Sequence, residues 1–173
     1  MSRLADASPF EVTVEDGCTL RGWRHGTASE RPPILFVHGL GSSSIDWDES
    51  VDYFALAGRQ VLTIDLRGHG QSDKGPRPLP VERHAADLLA ALDHLGLDSL
   101  ELVGLSLGGQ IALELVACAP RRFRNLAVAC CALDTRRHRP RVLAQWITRS
   151  IVLHGLGLSS STRVLAKKLF PKP

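Results

Sequence analysis

The sequence predicts an α/β fold built on a mostly parallel sheet, and three observations carry that prediction. Short apolar runs at residues 34–37, 61–64, 100–103 and 126–133 are too brief for helices and suit strands buried on both faces. Segments with helical spacing fall between them, as a parallel sheet with crossover helices requires. A G-x-S-x-G pentapeptide, Gly104-Leu105-Ser106-Leu107-Gly108, stands where the third run gives way to an amphipathic segment.

The elements follow in order. Residues 10–14 and 18–24 alternate apolar and polar side chains around the turn tripeptide Glu15-Asp16-Gly17, so the chain opens with an antiparallel hairpin. Trp47, Val51, Phe54 and Ala55 repeat at helical spacing, as do Ala85, Leu88, Leu89, Leu92 and Leu95, the second series closed by Gly96 as a C-cap. The helix of residues 109–119 stops before Pro120 and is apolar on most sides, which makes it the expected most buried helix. Beyond the last strand the texture turns Arg-rich and helical, with a stripe of Val142, Leu143, Trp146, Ile147 and Ile151, a Gly/Ser linker at 155–162 and a short helix at 164–170. The expected division is a core of residues 1–134 and the start of a helical cap, or lid insertion, at 135–173.

Across 173 residues, 44% are hydrophobic and 23% charged, the composition of a soluble globular domain able to bury a core. The first ten residues lack the apolar run of a signal peptide, and no apolar stretch is long enough to cross a bilayer, so a cytoplasmic protein is expected. Cys18, Cys118, Cys130 and Cys131 show no C-x-x-C spacing; buried reduced thiols are expected, with no metal site, no redox motif and no cofactor. The net charge of +3 conceals an asymmetry, since residues 1–120 carry 9 Lys/Arg against 17 Asp/Glu and residues 121–173 carry 12 against 1. No aromatic interleaving or nucleic-acid motif accompanies the basic segment, so it reads as a solvated helix face, without nucleic acid or membrane as partner; steering of an anionic substrate is a further reading.

The pentapeptide reads as a nucleophile elbow. A strand that turns into a helix within one residue strains that residue, and only small neighbours clear it, hence Gly104 and Gly108. Ser106 is then held in the open, and the Leu107 backbone N–H, at a helix N-terminus, faces any oxygen that gains charge when Ser106 attacks a carbonyl. His38-Gly39-Leu40-Gly41 follows the strand 34–37, where a second donor is needed; the Leu40 N–H fills that role, with His38 and Gly39 supporting the loop. The same stretch, Gly39-Leu40-Gly41-Ser42-Ser43-Ser44, nearly matches a G-x-G-x-x-G dinucleotide fingerprint, and Asp65 lies 21 residues past Ser44, where a ribose-binding acid would sit; the third glycine is serine, and the elbow reading is preferred. Residues 65–73, DLRGHGQSD, close the next strand with a tight turn. Asp65 and His69 precede Ser106, against the order Ser, acid, His that an elbow calls for, and read as turn architecture. His84 and His94 read as surface or interface histidines. After Ser106 the carboxylates are Glu114 and Asp134 and the histidines His138 and His154; Asp134 is a weak acid candidate, and neither histidine is naturally placed to bond Ser106.

HGLG, DLRGHGQSD and GLSLGG at these spacings resemble the α/β-hydrolase fold superfamily, in its capped branch, similar to 3-oxoadipate enol-lactonases and related esterases, over residues 10 to about 135. The resemblance implies an eight-stranded sheet with an antiparallel second strand, Ser106 as nucleophile, Leu40 and Leu107 N–H as oxyanion hole, and a triad acid and histidine that follow the last two strands. Six strands are expected here, so the chain reads as a C-terminally truncated member. The implied function is a serine hydrolase of small esters or lactones acting through an acyl-enzyme; a non-catalytic or inert truncated binding protein is the alternative. A strand at 125–133 left as an apolar sheet edge also predicts self-association.

Overall fold

The computed structural model describes residues 7–75 and 79–131. Within them the chain runs β1 (Ser8–Thr13), β2 (Thr19–His25), β3 (Ile34–Val37), a 3-10 turn (Ser44–Trp47), α1 (Asp48–Leu56), β4 (Val61–Ile64), α2 (Val81–His94), β5 (Leu100–Leu105), α3 (Leu107–Cys118) and β6 (Phe123–Ala129). The six strands form one sheet in the order β1-β2-β4-β3-β5-β6. β2 is antiparallel to both β1 and β4, while β3 runs parallel to β4 and β5, and β5 parallel to β6. This is the α/β sheet that the sequence predicts, antiparallel second strand included.

Local chemistry explains the boundaries. Gly17 takes a φ of 81° in the β1–β2 turn, and Asp16 Oδ1 accepts the Cys18 N–H, an Asx-type contact that closes it. α2 ends at His94 with Leu95 as its C-cap, and Gly96 follows at φ 66°, where an L side chain would be strained.

Both faces of the sheet are covered. Alternate residues of β3 point opposite ways: Leu35 and Val37 join Leu62, Ile64, Leu100 and Leu102 beneath α2 and α3, while Ile34 and Phe36 pack with Val51 and Val61 on the α1 side. Phe36 is sandwiched by Trp47 and Phe54, at ring-centroid distances of 4.7 and 5.9 Å. Each fully buried Leu or Ile of this kind stabilises the fold by roughly 1.5–3 kcal/mol of transfer free energy.

Two expectations are corrected. β3 and β4 are buried throughout, but β6 exposes every residue after Phe123, because it forms the sheet edge of the described residues and has a neighbour only on the β5 side. α3 buries Gly108, Gly109, Ile111, Ala112 and Leu115, with Leu113 exposed on another face, while α1 buries only Val51. Of the four free cysteines only Cys18 is buried; Cys118 and Cys130 are exposed and Cys131 lies between, since they sit at the end of α3 and beyond β6 and not inside the sheet. The proposed cap at 135–173, with Asp134, His138, His154 and the basic segment beyond Arg124, lies outside the described residues. No described helix is long and apolar enough to cross a membrane.

Candidate active site

The sheet order places the site. From β3 the chain passes to β4 on one side and then returns to β5 on the other, so the loops after β3 and β5 diverge and leave a crevice at their carboxyl ends. Val37 is in register with Gly104, which sets His38-Gly39-Leu40 beside Leu105-Ser106-Leu107.

Ser106 is the single residue between β5 and α3, with φ 54° and ψ −110°. That conformation belongs to the first central position of a type II′ turn, where glycine is normal, and holding a serine there costs about 1–3 kcal/mol. Surrounding backbone enforces it. The Ser106 N–H donates to the Ala129 carbonyl of β6 at 2.8 Å, and its carbonyl accepts the N–H groups of Gly109 and Gln110 at 3.0 and 3.2 Å. The Ser106 side chain makes no capping hydrogen bond to α3, so its oxygen is not spent on the helix. A β-carbon on Gly104 would collide with Gly108 and Gly109 Cα, and one on Gly108 with the carbonyls of Val37 and His38. These glycines are therefore a packing requirement: they let α3 start directly against the ends of β5 and β3.

Gly39 lies against the elbow, where an added β-carbon would sit 3.6 Å from Ser106 Cβ and 3.4 Å from the Leu105 carbonyl. Leu107 opens α3, and as a first-turn residue its N–H has no acceptor within the helix. Leu40 follows Gly39 with its side chain 53% exposed on the loop. The structure thus brings together Ser106, Gly39, Leu40, Leu107, Gly104, Gly108 and His38 at the ends of two adjacent strands.

His38 is fully buried and spends both ring nitrogens on backbone. Its Nδ1–H donates to the Gly39 carbonyl at 2.9 Å, and Nε2 accepts the Leu66 N–H at 3.0 Å. The pattern fixes the tautomer, and burial pushes the imidazole pKa below its ordinary value. Such a ring orders the loop and is not available as a base.

Asp65 is 1% exposed; Oδ1 accepts the Ser44 N–H and Oδ2 the Gln71 N–H, each at 2.7 Å. A carboxylate committed to these two backbone donors is not available to a ribose hydroxyl, which removes the dinucleotide reading. His69 lies in the same turn with Nδ1–H donating to the Arg67 carbonyl at 3.0 Å, and its ring stands 5.2 Å from that of His38.

Two features escaped sequence reasoning. His84 is 2% exposed and not a surface histidine: it faces into the molecule, 6.2 Å from the His69 ring, with Nδ1 unpartnered among the described residues, and burial lowers its pKa to about 4. Arg67, also 1% exposed, forks onto Asp87 at 2.6 and 2.8 Å and onto Asp16 at 2.7 and 3.0 Å, with Arg83 paired to both acids. The hydrogen bonds from Arg67 hold the Asp16 carboxyl down at about 2. Asp65 is turn architecture, as its place in the sequence implies, and Gly70 carries no side chain because the Asp65 carboxylate occupies the space where one would go.

Comparison with known proteins agrees with this fold. A family model for the alpha/beta hydrolase fold matches residues 32–161. The chain is 32% identical over 125 residues to the dihydrolipoyllysine-residue acetyltransferase component of an acetoin cleaving system from Pseudomonas putida, covering 72% of this chain and 33% of that protein. It is 28% identical over 142 residues to 3-oxoadipate enol-lactonase 2 of Acinetobacter baylyi, covering 82% and 51%. Among solved structures, a hydrolase from Pseudomonas aeruginosa superposes with a TM-score of 0.76 at 27% identity, covering 96% of this chain and 63% of that one. An α/β hydrolase from Novosphingobium aromaticivorans gives 0.73 at 26%, covering 85% and 50%. The chain thus spans between a third and about half of these curated relatives. With a strained serine between glycines, at the crevice of this sheet, and a family match over most of its length, the chain belongs to the α/β-hydrolase fold family.

Proposed function

We propose that the protein is a serine hydrolase of small carboxylic esters or lactones, with Ser106 as nucleophile and the Leu40 and Leu107 N–H groups as oxyanion donors. The observation that carries this reading is the backbone of Ser106, held at φ 54° and ψ −110° between two glycines that cannot be enlarged, with Gly39 against it. Energy of this kind is stored where a side chain must be presented, and the presented group is a hydroxyl. Relatives with matching printed names include a lactonase and a carbamate hydrolase, which supports acyl chemistry without specifying the substrate.

In this mechanism Ser106 Oγ attacks the substrate carbonyl carbon while a histidine takes its proton. The negative oxygen is met by the two N–H groups, the alcohol leaves with that proton, and water repeats the sequence on the acyl-enzyme. Among the described residues His38 is committed to the loop, and His25, His69, His84 and His94 all precede Ser106, against the order Ser, acid, His that the elbow calls for. The base and its acid partner are therefore assigned to sequence outside residues 7–131, and the chain is read as part of a longer protein, consistent with its span of the relatives. No cofactor is invoked.

The test is hydrolysis of p-nitrophenyl acetate by the protein purified from its own source and by Ser106→Ala in the same full-length chain. Loss of turnover in the variant, with retained folding, is the expected result. Turnover that persists unchanged overturns the assignment, and a folded protein without turnover leaves the non-catalytic alternative.

A further inference from the structure

Resting on the serine-hydrolase reading, we propose that Asp65 is a positioning residue for the oxyanion loop, acting from outside the site. The loop Gly39–Ser44 is held at both ends by two consecutive residues of a different strand end. At its start, His38 donates to the Gly39 carbonyl and accepts from Leu66 N–H. At its finish, Ser44 N–H donates to Asp65 Oδ1. Between these points the backbone carries the Leu40 N–H, and Gly41, at φ 75°, has open space around it, so the stretch has little packing of its own.

The anchor itself is rigid. The Asp65 N–H donates to the Arg21 carbonyl at 2.9 Å, and its own carbonyl accepts the Ser72 hydroxyl at 2.6 Å; that hydroxyl in turn accepts the Arg21 N–H at 2.9 Å. Residue 65 is thereby tied to β2 through both backbone groups, and its side chain transmits that fixed position to the loop. A hydrogen bond from a backbone N–H to a buried carboxylate is short and among the stronger kinds. The second oxygen is occupied by Gln71 N–H, so the carboxylate cannot swing away without leaving a donor unmet.

Two substitutions separate this role from general support. Asp65→Asn keeps the shape but leaves an amide NH2 facing one of the two backbone donors. Ser44→Pro removes the N–H that Asp65 accepts, along with the Ser44 hydroxyl, and leaves the carboxylate intact; it sits at the first position of the 3-10 turn, after an extended Ser43, where proline is well tolerated. The measurement is amide hydrogen exchange by NMR, residue by residue. Expected is at least about tenfold faster exchange at the loop-held amides of Asp46, bonded to the Ser43 carbonyl, and Leu66, bonded to His38, in Ser44→Pro, and also at Ser44 in Asp65→Asn, with Leu35 and Leu102 in the core unchanged. Unchanged exchange in the loop, or an equal rise at loop and core, overturns the proposal; if Asp65→Asn does not fold, Ser44→Pro decides it alone. On p-nitrophenyl acetate, kcat should fall about tenfold or more in both variants with KM preserved. A wild-type protein purified from its own source that shows no Ser106-dependent turnover counts against the hydrolase reading, while the exchange data still decide the loop.

Discussion

Gly104→Ala is the most direct probe of how the elbow is built. The added methyl would lie 2.6 Å from the Gly108 carbonyl carbon and 2.8 Å from Gly109 Cα, and closer still to the Gly108 oxygen. All of these are backbone atoms, so no rotamer change relieves the clash; α3 must shift away from β5. Overpacking costs about 1–3 kcal/mol, and backbone neighbours place this case at about 3 kcal/mol. At about 2–4 °C per kcal/mol for a chain of this size, the midpoint should drop by about 6–12 °C. Gly58→Ala is the control, because its φ of 75° strains an alanine but nothing lies within 4 Å, which predicts about 1 kcal/mol. Thermal unfolding followed by far-UV circular dichroism compares the two. A Gly104→Ala protein no less stable than Gly58→Ala would refute the close helix–strand approach on which the elbow rests.

Further predictions follow from buried charge and from the sheet edge. Since His84 binds its proton only near pH 4 when folded and near 6.5 when unfolded, its contribution is intact above pH 6.5 and is lost as the pH falls toward 4, by roughly 3 kcal/mol at 1.36 kcal/mol per unit; His84→Phe should flatten that part of a urea-denaturation pH profile. Burial of His38 shifts it in the same direction and adds to the acid limb. Removing Arg67 as Arg67→Met leaves Asp87, which is 4% exposed, with Arg83 at 3.2 Å as its remaining ion-pair partner, and should cost about 3 kcal/mol in urea; adding Asp87→Leu should restore part of that loss, and a purely additive double variant contradicts the pairing. The exposed β6 edge, with Leu126 and Val128 about 40% exposed, should drive self-association of the 173-residue chain in sedimentation experiments, and Val128→Lys should reduce it.

What could be read from the sequence was the part governed by local period and turn chemistry. The apolar runs at β3 and β4 needed no tertiary information, nor did the helical spacing of α2 or the Gly96 stop. The Ser106 segment was equally legible, because glycines at fixed offsets report backbone crowding directly. Features set by distant partners were not legible. β6 starts at Phe123, ahead of its apolar run, because the ladder to Leu100 extends through Arg124 and Asn125, whose side chains an edge strand can leave in solvent. Arg67 and His84 look like surface residues until Asp87, Asp16 and His69 are brought beside them. Asp65 reads as a turn residue, and its hold on Ser44 depends on β3 and β4 lying side by side.

The central claim is that Ser106 is a presented nucleophile, and covalent labelling tests it most directly. The protein purified from its own source should be treated with a fluorophosphonate, which attaches its phosphonyl group to an activated serine oxygen with loss of fluoride, and the modified peptide located by mass spectrometry. The account predicts a single label on Ser106, absent from Ser106→Ala. A folded protein that takes no label, or takes it at another residue, contradicts it.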